Sequence, residues 1–218
     1  MSKTNEVLSI VCRERFRVVF GLLFILFAGS SLASSFVKVE LPQKISFQMP
    51  INWLVLSANK TITVDAFIES VLPKATSDLK FQANLKNDKA QPITTVQVHF
   101  WSSEYQQSDI IEFSEADVVA YNHNMYLKIT DELDMFNAQI TSWIGTMKEN
   151  INGLGILRSE YRRISVLLQG HVRVQILRAY CGQNSFSFVI TYHEEEVLPL
   201  RPIIDKMIST LRSDVCQE

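Results

Sequence analysis

Between Ser185 and His193 apolar side chains hold the even positions Phe186, Phe188, Ile190 and Tyr192. Ser185, Ser187, Thr191 and His193 alternate with them, and only Val189 breaks the pattern. A period of two marks a strand with one buried face. In the preceding run Val172, Val174 and Ile176 keep that period, then Leu177 and Ala179 leave it, which predicts either a bulge or a strand covered on both faces. Gly182, Gln183 and Asn184 predict the tight turn between the two. Downstream, Leu200, Ile203, Ile204, Met207, Ile208 and Leu211 recur at helical spacing and form a single apolar stripe, so a helix is predicted from Leu200 to Arg212. Pro199 and Pro202 are expected in its first turn, where a missing N–H is harmless. Together these elements predict a β-hairpin with a helix folded back across it.

The rest of the chain gives shorter signals. FVKVELPQ and KISFQMPINWLVLS, between Phe36 and Ser57, read as two or three short strands punctuated by Pro42 and Pro50, with Trp53, Leu54 and Val55 expected in the core. Thr63 is placed to cap a short helix carrying Val64, Phe67, Ile68, Val71 and Leu72 and stopped by Pro73, although its β-branched content also suits a strand. Leu79–Asp88 and Ile93–Trp101 alternate around a polar connection and predict a second hairpin. Ser114 with Asp117 predicts a capping box and a helix whose stripe is Val118, Tyr121, Met125, Ile129, Leu133 and Phe136. Asn122 to Asn124 weaken its middle, and Thr130-Asp131 is a point where it could split. Gln139–Met147 and Gly155–Ile164 then read as strands joined through Asn152-Gly153, a strong hairpin turn. Seven or eight strands joined mostly by short turns, with helices on both sides, predict an α+β fold: a three-layer α/β/α sandwich around a mostly antiparallel sheet.

The N-terminus changes where this fold is expected to work. Lys3, Arg13, Arg15 and Arg17 precede the uncharged run Val18–Gly29, and Ser31-Leu32-Ala33 supplies small residues for cleavage, so residues 1–33 read as a signal peptide and 34–218 as a single exported domain. The apolar run falls short of the roughly 20 residues a bilayer span needs, which leaves an uncleaved anchor as the competing reading. No later run is long enough for a span. Without the leader the formal charge falls from −2 to −4, which argues against a nucleic-acid partner.

Two cysteines follow the leader, Cys181 and Cys216. The strand from Ser185 carries the chain about 30 Å away from Cys181, and the helix brings it back about 20 Å. A few extended residues cover the remaining ~10 Å, so the two thiols are within reach of a disulfide, which an exported chain can keep. Two unpaired thiols are the alternative.

Candidate chemistry is sparse. His193 followed by Glu194, Glu195 and Glu196 is the densest group of metal-ligand types, and His193 with Glu195 is the pair that could share an ion. A solvated acidic loop ahead of a helix N-terminus explains the same residues. Arg158, Arg162, Arg163, Arg173 and Arg178 fall on neighbouring predicted strands, with Arg158, Glu160 and Arg162 on one strand face opposite Leu157 and Tyr161. Arg158, Arg162 and Arg173 are the candidate face for an anion or an acidic partner, because guanidinium forks bind carboxylate and phosphate in pairs; cross-strand ion pairs on an exposed face are the alternative. No nucleophile elbow, glycine-rich phosphate loop or Walker pattern occurs, so the chain is read as a non-enzyme with no cofactor. Asn59-Lys60-Thr61 fits a glycosylation acceptor, relevant only in a eukaryotic secretory host.

Three stretches, ISFQMPINWLVLS, INGLGILRSEYRR and SFSFVITYH followed by LRPIIDKMISTLR, resemble the PsbP-like superfamily, which includes bacterial DcrB-like envelope proteins. The resemblance implies an α/β/α sandwich used as an exported or lumenal accessory or assembly module, and it brings no catalytic residues. The resulting expectation is a periplasmic or secreted interaction protein whose partner is another envelope protein. A small-ligand or metal-binding periplasmic module is the second reading, and a hydrolase with an unrecognised site is the third.

Overall fold

The structure is a computed structural model that describes residues 35–41, 43–56, 78–134, 138–165, 168 and 170–216. Residues 1–33, the segment around Thr63, the Asn59 sequon and Phe136 lie outside the described residues. Phe36–Glu218 form one compact unit.

Two antiparallel sheets organise it. β1 (Phe36–Glu40), β2 (Ile45–Pro50) and the two-residue β10 (Arg212–Ser213) form a small sheet in the order β1-β2-β10. The large sheet has seven strands: β3 (Leu54–Val55), β4 (Asp78–Lys86), β5 (Pro92–Trp101), β6 (Ile140–Ile151), β7 (Leu154–Ser165), β8 (Gly170–Ala179) and β9 (Ser185–His193), in the order β3-β4-β5-β9-β8-β7-β6. After β5 the chain crosses to the far edge through α1 (Gln107–Glu112) and α2 (Glu115–Asp134), and then returns strand by strand until β9 pairs with β5. A last helix, α3 (Val197–Ser209), leads from β9 to β10.

The alternation in β8 and β9 separates two apolar cores. Phe186, Phe188, Ile190 and Tyr192 of β9 and Leu177 and Ala179 of β8 face Leu200, Ile204, Met207 and Ile208 of α3, together with Ile45, Phe47 and Met49 of the small sheet. Val172, Val174 and Ile176 of β8 and Val189 of β9 face Met125, Ile129 and Leu133 of α2. β8 is therefore covered on both sides, and its register with β7 and β9 runs without a bulge. The break in its sequence alternation is the change of face, and Val189 is apolar because its side of the sheet is roofed too. Phe47 sits edge-on between Phe81 (5.5 Å) and Phe188 (4.8 Å), tying the two sheets together. The α+β sandwich expected from the sequence is what forms, with α3 and the small sheet sharing one outer layer.

Local differences have local causes. Trp53 is buried, but Leu54 and Val55 are about half exposed, because β3 is an edge strand of only two residues. α2 starts at the expected capping box: the Ser114 backbone N–H donates to Asp117 Oδ2 (2.8 Å) and the Asp117 N–H to Ser114 Oγ (3.3 Å). It continues through Thr130, whose hydroxyl donates to the Tyr126 carbonyl (2.8 Å) while Ile129 and Leu133 hold the helix on the sheet. α1 carries too short an apolar pattern to be read, and its Gln106–Asp109 box starts it instead. α3 begins at Val197, so Pro199 falls in the first turn and Pro202 lies inside the helix. Asn152 and Gly153 both take positive φ (53° and 88°), the conformation a two-residue turn between β6 and β7 requires.

Candidate functional site

Strand parity sorts the five arginines. Arg158, Glu160 and Arg162 project on the α3 side of β7, and Arg173 lies directly opposite Arg162 on β8. Glu160 is only 3% exposed and sits between them: Arg173 Nε donates to its Oε1, and Arg158 Nη2 lies 4.0 Å from its Oε2. Arg158 also reaches Glu149 on β6 (3.2 Å), and Arg162 Nε reaches Glu194 (2.8 Å). Three guanidinium groups thus meet three carboxylates across β6, β7, β8 and the turn after β9. Arg163 and Arg178 do not join this face: they occupy positions of the opposite parity, toward α2. Arg178 Nη1 donates to the Tyr121 hydroxyl (3.3 Å) and touches Met125 Sδ.

α3 and the small sheet share a core with β4, β5 and β9, whereas the Arg158, Arg162 and Arg173 end of the same face is left partly exposed. Apolar side chains flank it. Met147, directly across from Arg158 on β6, and Ile164, two residues beyond Arg162, are 42% and 54% exposed.

The acidic loop follows β9 directly. His193 ends β9 and packs near Gly170, Glu194 is committed to Arg162, and Glu195 is exposed in a single 3₁₀ turn, Glu194–Glu196. Among the described residues no three His, Cys, Asp or Glu side chains gather as a metal site. Cys181 and Cys216 form a disulfide with their Cα atoms 5.1 Å apart. A shallow cleft of about 510 Å³ lies along the small sheet, but its Lys38, Lys44 and Arg212 are interspersed with Glu40 and Asp214, and Lys38 is paired with Glu40.

Two features under α2 were not legible in the sequence. Glu132 is buried against the sheet, and desolvation pushes its carboxyl up to about 7, against the opposing pull of Lys128 and Arg178. Beside the helix, Tyr105, Phe113, Tyr121 and Tyr180 line a cleft of about 190 Å³. Tyr105, Phe113 and Tyr121 recur every eight residues, which is a signal, but Tyr180 comes from the end of β8 and only the fold brings it in.

No family model matches the chain, and no curated protein sequence matches it. Solved structures do. Cyanobacterial PsbP (CyanoP) from Synechocystis sp. PCC 6803 aligns with a TM-score of 0.51 and 11% identity, over 85% of this chain and 96% of that one. PA94, a protein of unknown function from Pseudomonas aeruginosa, aligns with a TM-score of 0.44 and 11% identity over 81% and 96% of the two chains. LpqN of Mycobacterium tuberculosis, involved in cell envelope biogenesis, gives 0.41 and 9% over 81% and 89%. The fold is PsbP-like.

Proposed function

We propose that this chain is an exported, non-enzymatic accessory protein that docks another envelope protein on the β6–β7–β8 end of its large sheet. The observation that carries the reading is the half-covered sheet face itself, where Arg158, Arg162 and Arg173 are held in place by Glu149, Glu160 and Glu194 and flanked by exposed Met147 and Ile164. Arginine and methionine are enriched in protein interfaces, and a preordered guanidinium loses little freedom on binding a carboxylate. Export is supported by the leader-like residues 1–33 and by the Cys181–Cys216 bond, a cross-link that persists in oxidising compartments. Among the described residues no helix is long and apolar enough to cross a membrane. The resemblance to PsbP-like proteins supports the accessory role.

The test is crosslinking in intact envelopes with the wild-type chain and with a Met147→Glu/Arg162→Glu variant. A partner recovered with the wild type and lost with the variant is expected. Recovery of the same partner by both, or of none by either, would remove the proposed face.

A further inference from the structure

We propose that the cleft between α1 and α2 binds a small quaternary ammonium ligand, a choline-like cation, against Tyr105, Phe113, Tyr121 and Tyr180 with Asp117 at the rim. This site is separate from the docking face and does not depend on it.

Four aromatic rings line the cleft. Tyr105 meets Phe113 at 88° (6.2 Å between centroids) and Tyr180 at 85° (5.8 Å), and Tyr121 meets Tyr180 at 87° (6.3 Å). In each pair the edge of one ring meets a face of the other, so the four rings form a continuous aromatic lining of the cleft. A ring face carries the negative lobe of the quadrupole and attracts a cation set against it. Burial raises the Tyr180 phenol above its ordinary range, so it stays neutral at physiological pH.

About 190 Å³ lies below the roughly 300 Å³ at which drug-sized pockets begin, so the cleft suits a compact head group and not a length of peptide. Ile110, fully buried, lines it together with the rings. A trimethylammonium group presents methyl groups to such walls and has no N–H to satisfy. A primary ammonium is strongly hydrated and would need acceptors in place of the rings.

From Trp101 to Leu127 the sequence carries Glu104, Asp109, Glu112, Glu115 and Asp117 and no lysine or arginine. Ser114 donates to Asp117 from both its hydroxyl (2.6 Å) and its backbone N–H (2.8 Å) and holds that carboxyl below its ordinary value. Two cations approach from other elements, Lys148, which donates to the Ile111 and Phe113 carbonyls (3.0 and 2.5 Å), and Arg178 beneath Tyr121. Of these carboxylates, Asp117 is the one that lines the cleft.

The walls are also fixed before any ligand arrives. The Ser103 N–H donates to the Gly182 carbonyl (2.9 Å) and the Gly182 N–H to the Tyr105 carbonyl (3.0 Å), so Tyr105 is tied to the residue beside the Cys181–Cys216 bond. The Tyr121 and Tyr180 hydroxyls are 2.8 Å apart and hydrogen-bonded. A preformed pocket loses less entropy on binding.

The test titrates the full chain with choline chloride and with 3,3-dimethylbutan-1-ol, its uncharged carbon isostere, following tyrosine and phenylalanine ring NMR signals at constant ionic strength. Saturable binding of choline, at least about tenfold tighter than the alcohol, is expected. Tyr105→Ala, which truncates a half-exposed ring, should weaken choline by about fivefold or more, while Phe113→Tyr should retain it. Phosphatidylcholine vesicles provide a second arm: choline-competable sedimentation identifies a lipid head group as the source, and its absence alongside choline binding identifies a soluble one. Equal affinity for the alcohol would overturn the proposal, as would no saturable choline binding, or unchanged affinity in Tyr105→Ala of wild-type circular dichroism.

Discussion

The side-chain amide of Gln107 pairs with the backbone of Gly155 as a neighbouring strand would: its Oε1 accepts from the Gly155 N–H (2.7 Å) and its Nε2 donates to the Gly155 carbonyl (3.2 Å). The same Nε2 also donates to the Tyr180 carbonyl (3.0 Å). One side chain thus ties α1 to the start of β7 and the end of β8. Gln107→Ala leaves these partly buried backbone groups without their partner and should cost roughly 1 to 3 kcal/mol, measured by urea unfolding. It should also broaden the Tyr105 and Phe113 ring signals, since α1 separates those two residues.

Gly155 is tight for a second reason. A Cβ there would stand 3.2 Å from Ile111 Cγ1 and 3.4 Å from Ile110 Cγ2. Gly155→Ala is expected to lower stability by about 1 kcal/mol or more by pushing α1 outward, while Gly153→Ala acts through backbone strain at positive φ and leaves the α1 signals unchanged.

Glu132 gives the protein a definite pH response. Its carboxyl titrates near 4.5 in the unfolded chain and near 7 in the folded one, so the fold binds the extra proton. The contribution is fully present below about pH 4.5 and is lost as pH rises through about 7. Glu132→Gln should therefore be more stable than wild type above pH 7, by roughly 1 to 3 kcal/mol, and the difference should shrink toward pH 4.5 in thermal unfolding across that range.

The ion pairs on the sheet face should separate by burial. Glu160→Gln leaves two guanidinium groups around a nearly inaccessible site and should cost roughly 2 to 4 kcal/mol. Arg162→Ala, whose pair with Glu194 is 42% and 33% exposed on its two sides, should cost no more than about 1 kcal/mol. Equal losses on denaturant unfolding would contradict this division.

Breaking the disulfide should matter more than its position near the chain end suggests. Cys181 and Cys216 are 35 residues apart, and a bond closing such a loop typically contributes about 2 to 4 kcal/mol. A Cys181→Ser/Cys216→Ser variant should match reduced wild type in unfolding midpoint, and reductant should leave the variant's midpoint unchanged.

How much of this could be read from the sequence depends on how local each determinant is. The β8–β9 hairpin, α3 and the reach between the cysteines follow from periodicity and residue lengths, and all three form. By its sequence Asn122 is a weak helix former. Its Oδ1 accepts from Trp143 Nε1 (3.0 Å) and from the Thr146 N–H (2.7 Å), beside the bulge where Gly145 has φ +130°, so it is a polar anchor between α2 and the edge strand. No spacing rule announces a contact across 24 residues. Position on neighbouring predicted strands brings Arg163 and Arg178 near the other arginines, and strand register sets both on the opposite face. Tyr180 and Glu132 gain their roles from what the sheet and α2 place beside them, which one chain's pattern does not encode.

β10 has a consequence for the order of assembly. Its two residues, Arg212 and Ser213, complete the small sheet by pairing with Ser46 and Ile45 near the other end of the folded unit. During synthesis that early hairpin must wait for the C-terminal segment to leave the ribosome before its third strand can dock. The small sheet is therefore complete only when both ends of the folded unit are present together.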